Sequence, residues 1–208
     1  MSDTQSTESQ AEATPASVID ELRSGNARFV AGEPTERDLL AQAAATAGGQ
    51  HPLAAVLGCI DSRVPVEAVF DQGIGDVFVA RTAGNVVDAD VLGGLEFATA
   101  LAGAKAIVVL GHTACGAVKG ACDGAELGHL TQLLAKITPA VEAIAGESAP
   151  GSGDATLVGR VVEQNVRNSV ATLAASEVLS ARIDDDDLVI VGAVYDLATG
   201  VVTWLDID

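Results

Sequence analysis

Aromatic side chains are nearly missing from this sequence. They make up 3% of it, with one tryptophan, one tyrosine and four phenylalanines. That argues against an aromatic-filled sandwich: alanine, valine, leucine and glycine must do the packing, which favours helices laid closely on a sheet. Positive charge is also scarce. Lys and Arg number 11 against 29 Asp and Glu, a formal net charge of −18. Such a field repels nucleic acid and anionic membrane, so neither is an expected partner, and it exerts no long-range pull on an anionic substrate. An acidic, lysine-poor surface fits a high-salt habitat, where self-repulsion is screened, and fits an ordinary compositional bias equally well. Long apolar runs are absent too, and none would span a bilayer. The opening stretch MSDTQSTESQAEATPAS has neither the basic start nor the apolar centre of a secretory signal, so the expected location is cytoplasmic. In that compartment three cysteines are thiols or metal ligands rather than disulfides.

What is present is ordered along the chain. Residues 1–16 are polar and poor in bulky apolar side chains, so they are expected to be a disordered lead-in. Residues 17–208 are long enough to form a single domain with its own core. Ser17 is placed to cap a helix over VIDELRSGNARFVAG, and TERDLLAQAAATA follows as a second; together they form an N-terminal helical arm. Four compact apolar runs come next: LAAVLG (53–58), DVFVAR (76–81), AIVVLG (106–111) and LVIVGAVY (188–195). They are continuous rather than alternating, the pattern of strands covered on both faces. Helical segments lie between them at 88–103, 128–146 and 155–179, with Pro139 expected to break or kink the second. ESAPGSGD (147–154) is a turn-rich connector, and DLATG (196–200) a hairpin turn into a last strand, VVTWLDI. The expected fold is α/β, a mostly parallel sheet flanked by helices.

Two of the strands end alike: one runs into Cys59, the other into His112, and Cys115 follows three residues later in GHTACGAVKG. In open α/β sheets ligands gather at the carboxyl ends of strands, and neighbouring strands are ~5 Å apart. Cys59, His112 and Cys115 therefore form a candidate Cys2His set suited to Zn2+, with a fourth position left open as in a catalytic site. Two thiolates already neutralise the ion, so activity is expected to rise on the alkaline side of neutral. Asp61 and Arg63, in CIDSR, complete the constellation. The carboxylate can orient a group at the metal, and the arginine can hold the carboxylate ionised and in place. Freed from the arginine, Asp61 could itself reach the metal and close the site.

CIDSR followed by GHTACGAV resembles the zinc motif of the β-class carbonic anhydrases, Cys-x-Asp-x-Arg then His-x-x-Cys. The similarity extends from about Ser17 to the end of the chain, through ELRSGNARFVAGEP, DQGIGDVFVARTAGNVV and VGAVYDLATGVVTWLD. The resemblance implies one Zn2+ per subunit on Cys59, His112 and Cys115, with Asp61 and Arg63 as the catalytic dyad. Gln50 and Gly116 match positions that orient substrate, and Phe78 and Ala83 match the apolar lining. The implied fold is the family's sheet, and the implied assembly a homodimer or a dimer of dimers with the N-terminal helices embracing the partner. The implied reaction is CO2 + H2O ⇌ HCO3− + H+, by attack of zinc-bound hydroxide. One branch of the family carries a non-catalytic bicarbonate pocket marked by a tryptophan three residues before the first cysteine. Here that residue is Val56, and the tryptophan is Trp204. The alternative is an inactive bicarbonate sensor or scaffold on the same fold; a thiol redox role for Cys115 and Cys122 and another hydrolytic use of the zinc are weaker rivals. Cys122, His51, His129 and Tyr195 are expected to be structural. The Asp184–Asp187 run is expected to be a solvated turn, and Ala117 stands where a phosphate loop needs lysine.

Overall fold

A computed structural model describes residues 4–146 and 151–206. The elements are α1 (Thr7–Glu12), α2 (Pro15–Ala31), α3 (Leu39–Thr46), β1 (Ala54–Gly58), α4 (Val66–Val69) and β2 (Val77–Arg81). A 3-10 turn (Ala83–Asn85), α5 (Ala89–Glu96), a π-helical turn (Phe97–Leu101), β3 (Ala106–His112), α6 (Gly116–Cys122), α7 (Gly128–Leu134) and α8 (Thr138–Ala145) follow. The chain finishes with α9 (Ala155–Ala174), α10 (Glu177–Asp184), β4 (Val189–Tyr195) and β5 (Val202–Leu205).

The strands form one sheet in the order β2-β1-β3-β4-β5. The first four are parallel, and β5 returns antiparallel to β4. Every residue of β1 and β3 is buried, which is why their sequences are unbroken apolar runs. Alternate residues serve opposite faces. Ala54, Val56, Val108 and Leu110 pack with Val18 and Leu22 of α2 and with Val66, Val69 and Phe70 around α4. Ala55, Leu57, Ile107 and Val109 face Val91 and Leu95 of α5 and Val166, Val170 and Leu173 of α9. Each fully buried Val or Leu side chain contributes about 1.5–3 kcal/mol, so these small residues suffice without aromatics.

Several expectations about the helices need correction. The supposed disordered lead-in carries α1: Ser6 and Ser9 cap each other's backbone reciprocally. Gln10 then donates to the Pro52 and Ala102 carbonyls, both at 2.8 Å, so polar side chains dock this segment without bulky apolar ones. Helix α2 starts earlier than Ser17: Thr14 is its cap, Pro15 pre-sets the first turn, and Ser17 closes the capping box. The segment at 128–146 breaks into α7 and α8 as expected, with Pro139 in the first turn of α8. The one at 155–179 breaks at Ser176, which caps α10. Four residues of the connector at 147–154, and the last residue of the final strand stretch at 201–207, lie outside the described residues.

One carboxylate ties together α2, α4 and the segment before α3. Asp71, at the end of α4 with φ 48°, accepts from Arg28 Nε of α2 at 2.5 Å, from Arg37, and from the Thr35 backbone N–H and hydroxyl. Burial alone would raise this carboxyl, but the two guanidinium groups and Thr35 outweigh it and hold it well below the usual carboxylate range.

The topology also sets the site. From β1 the chain goes to β2 on one side; from β3 it goes to β4 on the other. The crevice between the carboxyl ends of β1 and β3 is thus the point where connections diverge.

Candidate metal centre

Cys59 is the residue after β1 and His112 is the last residue of β3, so both emerge into that crevice. Past His112, Ala114 takes a left-handed turn with φ 55°, and Cys115 caps α6. The turn folds Cys115 back beside His112. The donor atoms of Cys59, His112 and Cys115 all lie within 4.8 Å of one another, and all three residues are buried. The cluster predicted from the two motifs is therefore assembled.

The donors are prepared for a cation. His112 Nδ1 lies 3.0 Å from the Thr113 carbonyl oxygen. A carbonyl can only accept, so the ring proton belongs on Nδ1 and the lone pair on Nε2 faces the sulfurs. Among the described residues Nε2 is buried and has no hydrogen-bond partner, an expensive arrangement unless something binds there. The two sulfurs contend for one proton. The Cys59 thiol is pulled down to about 4, first by its hydrogen bond from Cys115 and then by backbone N–H groups, that of Gly84 among them, against the effect of burial. Cys115 is pushed up by the same contact with Cys59 and by burial. Two buried thiols and an unpartnered imidazole nitrogen fit a thiophilic divalent ion such as zinc, which would displace the contested proton.

Asp61 stands beside this cluster but is turned from it. Its Oδ1 accepts from Arg63 N and Nε, both at 2.9 Å, and its Oδ2 accepts from Arg63 Nη2 at 2.8 Å. The Arg63 guanidinium holds the Asp61 carboxyl well below the usual carboxylate range. Oδ2 remains 3.9 Å from His112 Nε2, so a small rotation would bring it among the donors.

The four residues matched to substrate positions divide into two pairs. Ala83 adjoins Gly84, whose N–H donates to Cys59 Sγ at 3.3 Å, and Gly116 directly follows Cys115. Both therefore border the cluster. Gln50 is exposed in the loop before β1, at the opposite end of the strand from Cys59. Phe78 pairs with Ala55 and packs edge-on against Phe97, roughly 13 Å down the sheet from Cys59 at ~3.3 Å per residue. A single protomer does not bring Gln50 or Phe78 to the donors. Tyr195 and Cys122 are buried in the core, His51 bonds Thr7, and His129 is exposed on α7. Asp187 pairs with Lys105 and Arg182, so the acidic run is a braced turn before β4.

Three supports were not singled out from the sequence. Arg81 donates to the Cys59 carbonyl at 2.9 Å and the Asp61 carbonyl at 2.5 Å, bracing the loop between them. Gly84 has φ +68°, and a Cβ there would lie 2.7 Å from Ile137, so the N–H reaches the sulfur only because this residue is glycine. Asn165 Nδ2 in turn donates to the Gly84 carbonyl at 2.8 Å. A signal was available: Asn165 and Ser169 interrupt an otherwise apolar buried stripe on α9.

Comparison with known proteins agrees with this geometry. A family model described as carbonic anhydrase matches residues 54–202. Carbonic anhydrase 2 of Mycobacterium tuberculosis is 41% identical over 189 residues, covering 89% of this chain and 90% of that protein. The carbonic anhydrase of Mycolicibacterium smegmatis is 39% identical, covering 89% and 91%. Among solved structures, a tetrameric β-carbonic anhydrase from Sordaria macrospora superposes with a TM-score of 0.73 at 31% identity, covering 78% of this chain and 84% of that one.

Proposed function

The chain belongs to the β-carbonic anhydrase family, and from that premise we propose that it interconverts CO2 and bicarbonate at one zinc ion per subunit, held by Cys59, His112 and Cys115. The observation that carries this is the convergence of two buried thiols on an imidazole nitrogen that has no hydrogen-bond partner among the described residues. Bound there, zinc would supply a Lewis acid that makes water nucleophilic near neutral pH. The chain supplies the rest. Asp61, kept ionised by Arg63, is an acceptor that fixes the proton and hence the direction of the attacking water. Arg81 keeps the Cys59–Asp61 backbone from shifting as charge develops. Ala83 and Gly116 present little side chain at the cluster, as a small neutral substrate requires. CO2 is uncharged, so the acidic surface does not hinder its arrival.

The unit we propose is the single domain over 17–208, working as a homodimer or a dimer of dimers. Leu39, Leu40, Phe97 and Leu101 are 50–80% exposed, an apolar surface that suits self-association. Gln50 and Phe78, remote from their own cluster, would serve a site only on a second copy. Among the described residues no helix is long and apolar enough to cross a membrane. The three cysteines are free, which suits the reducing cytoplasm where we place it.

Stopped-flow CO2 hydration on zinc-loaded protein tests the proposal. Rapid turnover that grows from neutral to mildly alkaline pH is the expected result. Stoichiometric zinc with no turnover at either pH would overturn it and favour the sensor or scaffold.

A further inference from the structure

We infer that Asn165 and Ser169 are positioning residues for the metal centre: from one face of α9 they lock the Gly84–Asn85 turn so that the Gly84 N–H bears on the Cys59 sulfur. This rests on the zinc reading above. Asn165 Nδ2 donates to the Gly84 carbonyl at 2.8 Å, and Ser169 Oγ donates to the Asn85 carbonyl at 3.2 Å. The two donors are one helical turn apart, and the two carbonyls they hold are consecutive. Both turn residues are left-handed, with φ 68° at Gly84 and 46° at Asn85. Glycine and asparagine both tolerate the left-handed region, so the two bonds from α9, rather than strain, hold this turn in place.

The placement is selective. Apart from these two residues, the buried face of α9 is valine, with Leu173 at its end. Asn165, Ser169, Asn85 and Cys59 are each at most 5% exposed. In so dry a setting a directed N–H strongly affects a sulfur's charge and donor strength. The same helix bears on the other half of the site. A Cβ on Gly111 would lie 2.7 Å from Val166 and 3.1 Å from Val162, so α9 lies directly on the strand one residue before His112. One helix thus indexes both the cysteine side and the histidine side of the donor set.

The test uses full-length Asn165→Leu, Asn165→Ala and Ser169→Ala, loaded with Co2+ and, separately, titrated with Zn2+ against a chelator. Leucine removes the donor at similar volume, and alanine removes it without adding bulk; aspartate is avoided because burial would keep it protonated and able to donate. For both Asn165 variants the expected zinc affinity falls about 10–100-fold. The sulfur-to-cobalt charge-transfer band should move to lower energy, because a sulfur that loses its N–H is easier to oxidise. Ser169→Ala, the milder change, should shift both readouts in the same direction by less. A role in packing alone would lower the melting temperature and leave the band in place. Wild-type affinity and an unmoved band in Asn165→Leu, or in Ser169→Ala and Asn165→Ala should leucine not fold, would overturn the inference while leaving the zinc reading intact. Absence of any thiolate-to-cobalt band in the wild-type protein would overturn both.

Discussion

Two aspartates flank α4, each bonded to arginine, and they are built to opposite ends. Asp61 takes its partner from its own loop, two residues on, and the Arg63 side chain is 57% exposed. Asp71 is 2% exposed and takes Arg28 from α2, with Arg37 and Thr35 from the segment before α3. The first pair can open without moving any element, because both members belong to one turn. The second cannot open without loosening α2 and the segment before α3 from the end of α4. The same two functional groups make a latch where the partner is local and wet, and a clamp where the partners are distant and buried.

The largest effect that would break this contrast is on turnover. Asp61→Ala should keep its zinc and lose activity by about 10²–10⁴-fold, the usual worth of a positioned proton acceptor. Asp71→Ala should leave turnover per bound zinc unchanged. Stopped-flow rates normalised to zinc content decide, and equal losses in the two variants would erase the distinction. Arg63→Ala tests the latch itself. Its loss should free Asp61 to approach the donors, giving a zinc-loaded but inactive protein; a crystal structure with Asp61 still remote from the metal would contradict this.

Smaller effects sharpen the clamp. Asp71→Ala removes the shared acceptor of Arg28 and Arg37, which keep Glu21 and two backbone carbonyls as partners, and should cost about 2 kcal/mol in urea unfolding of the metal-free protein, whereas Asp61→Ala should leave the midpoint near wild type. The pH dependence is smaller again and has a definite sign. The folded-state Asp71 carboxyl is depressed, so its contribution is fully present above the unfolded carboxyl value of about 3.9 and is lost as pH falls below it. The urea midpoint of the wild-type protein should therefore drop more steeply below about pH 4 than that of Asp71→Asn. Parallel curves would mean the clamp adds nothing.

Legibility from sequence followed the same division between local and distant. The four parallel strands fell within a residue of their apolar runs, because burial on both faces leaves an unmistakable composition in β1 and β3. Cys59, Asp61, Arg63, His112 and Cys115 were legible because each half of the site is one short motif at a strand end. Helix α1 was not, because its hold depends on Gln10 reaching carbonyls 42 and 92 residues away. Gly84 lies within DQGIGDVFVARTAGNVV, but nothing local says that its N–H meets a sulfur 25 residues back. Asn165 needed the pairing of α9 with a turn 81 residues earlier. Gln50 and Phe78 were placed by resemblance, which does not say which copy of the chain a residue serves.

The position of α9 also bears on the order of events in synthesis. All three donors have been synthesised by residue 115, yet the helix that rests on both of their supports spans Ala155–Ala174. The nascent chain therefore carries its thiols for some time before their spacing is set. A metal bound before α9 is in place would meet donors whose supports are still missing.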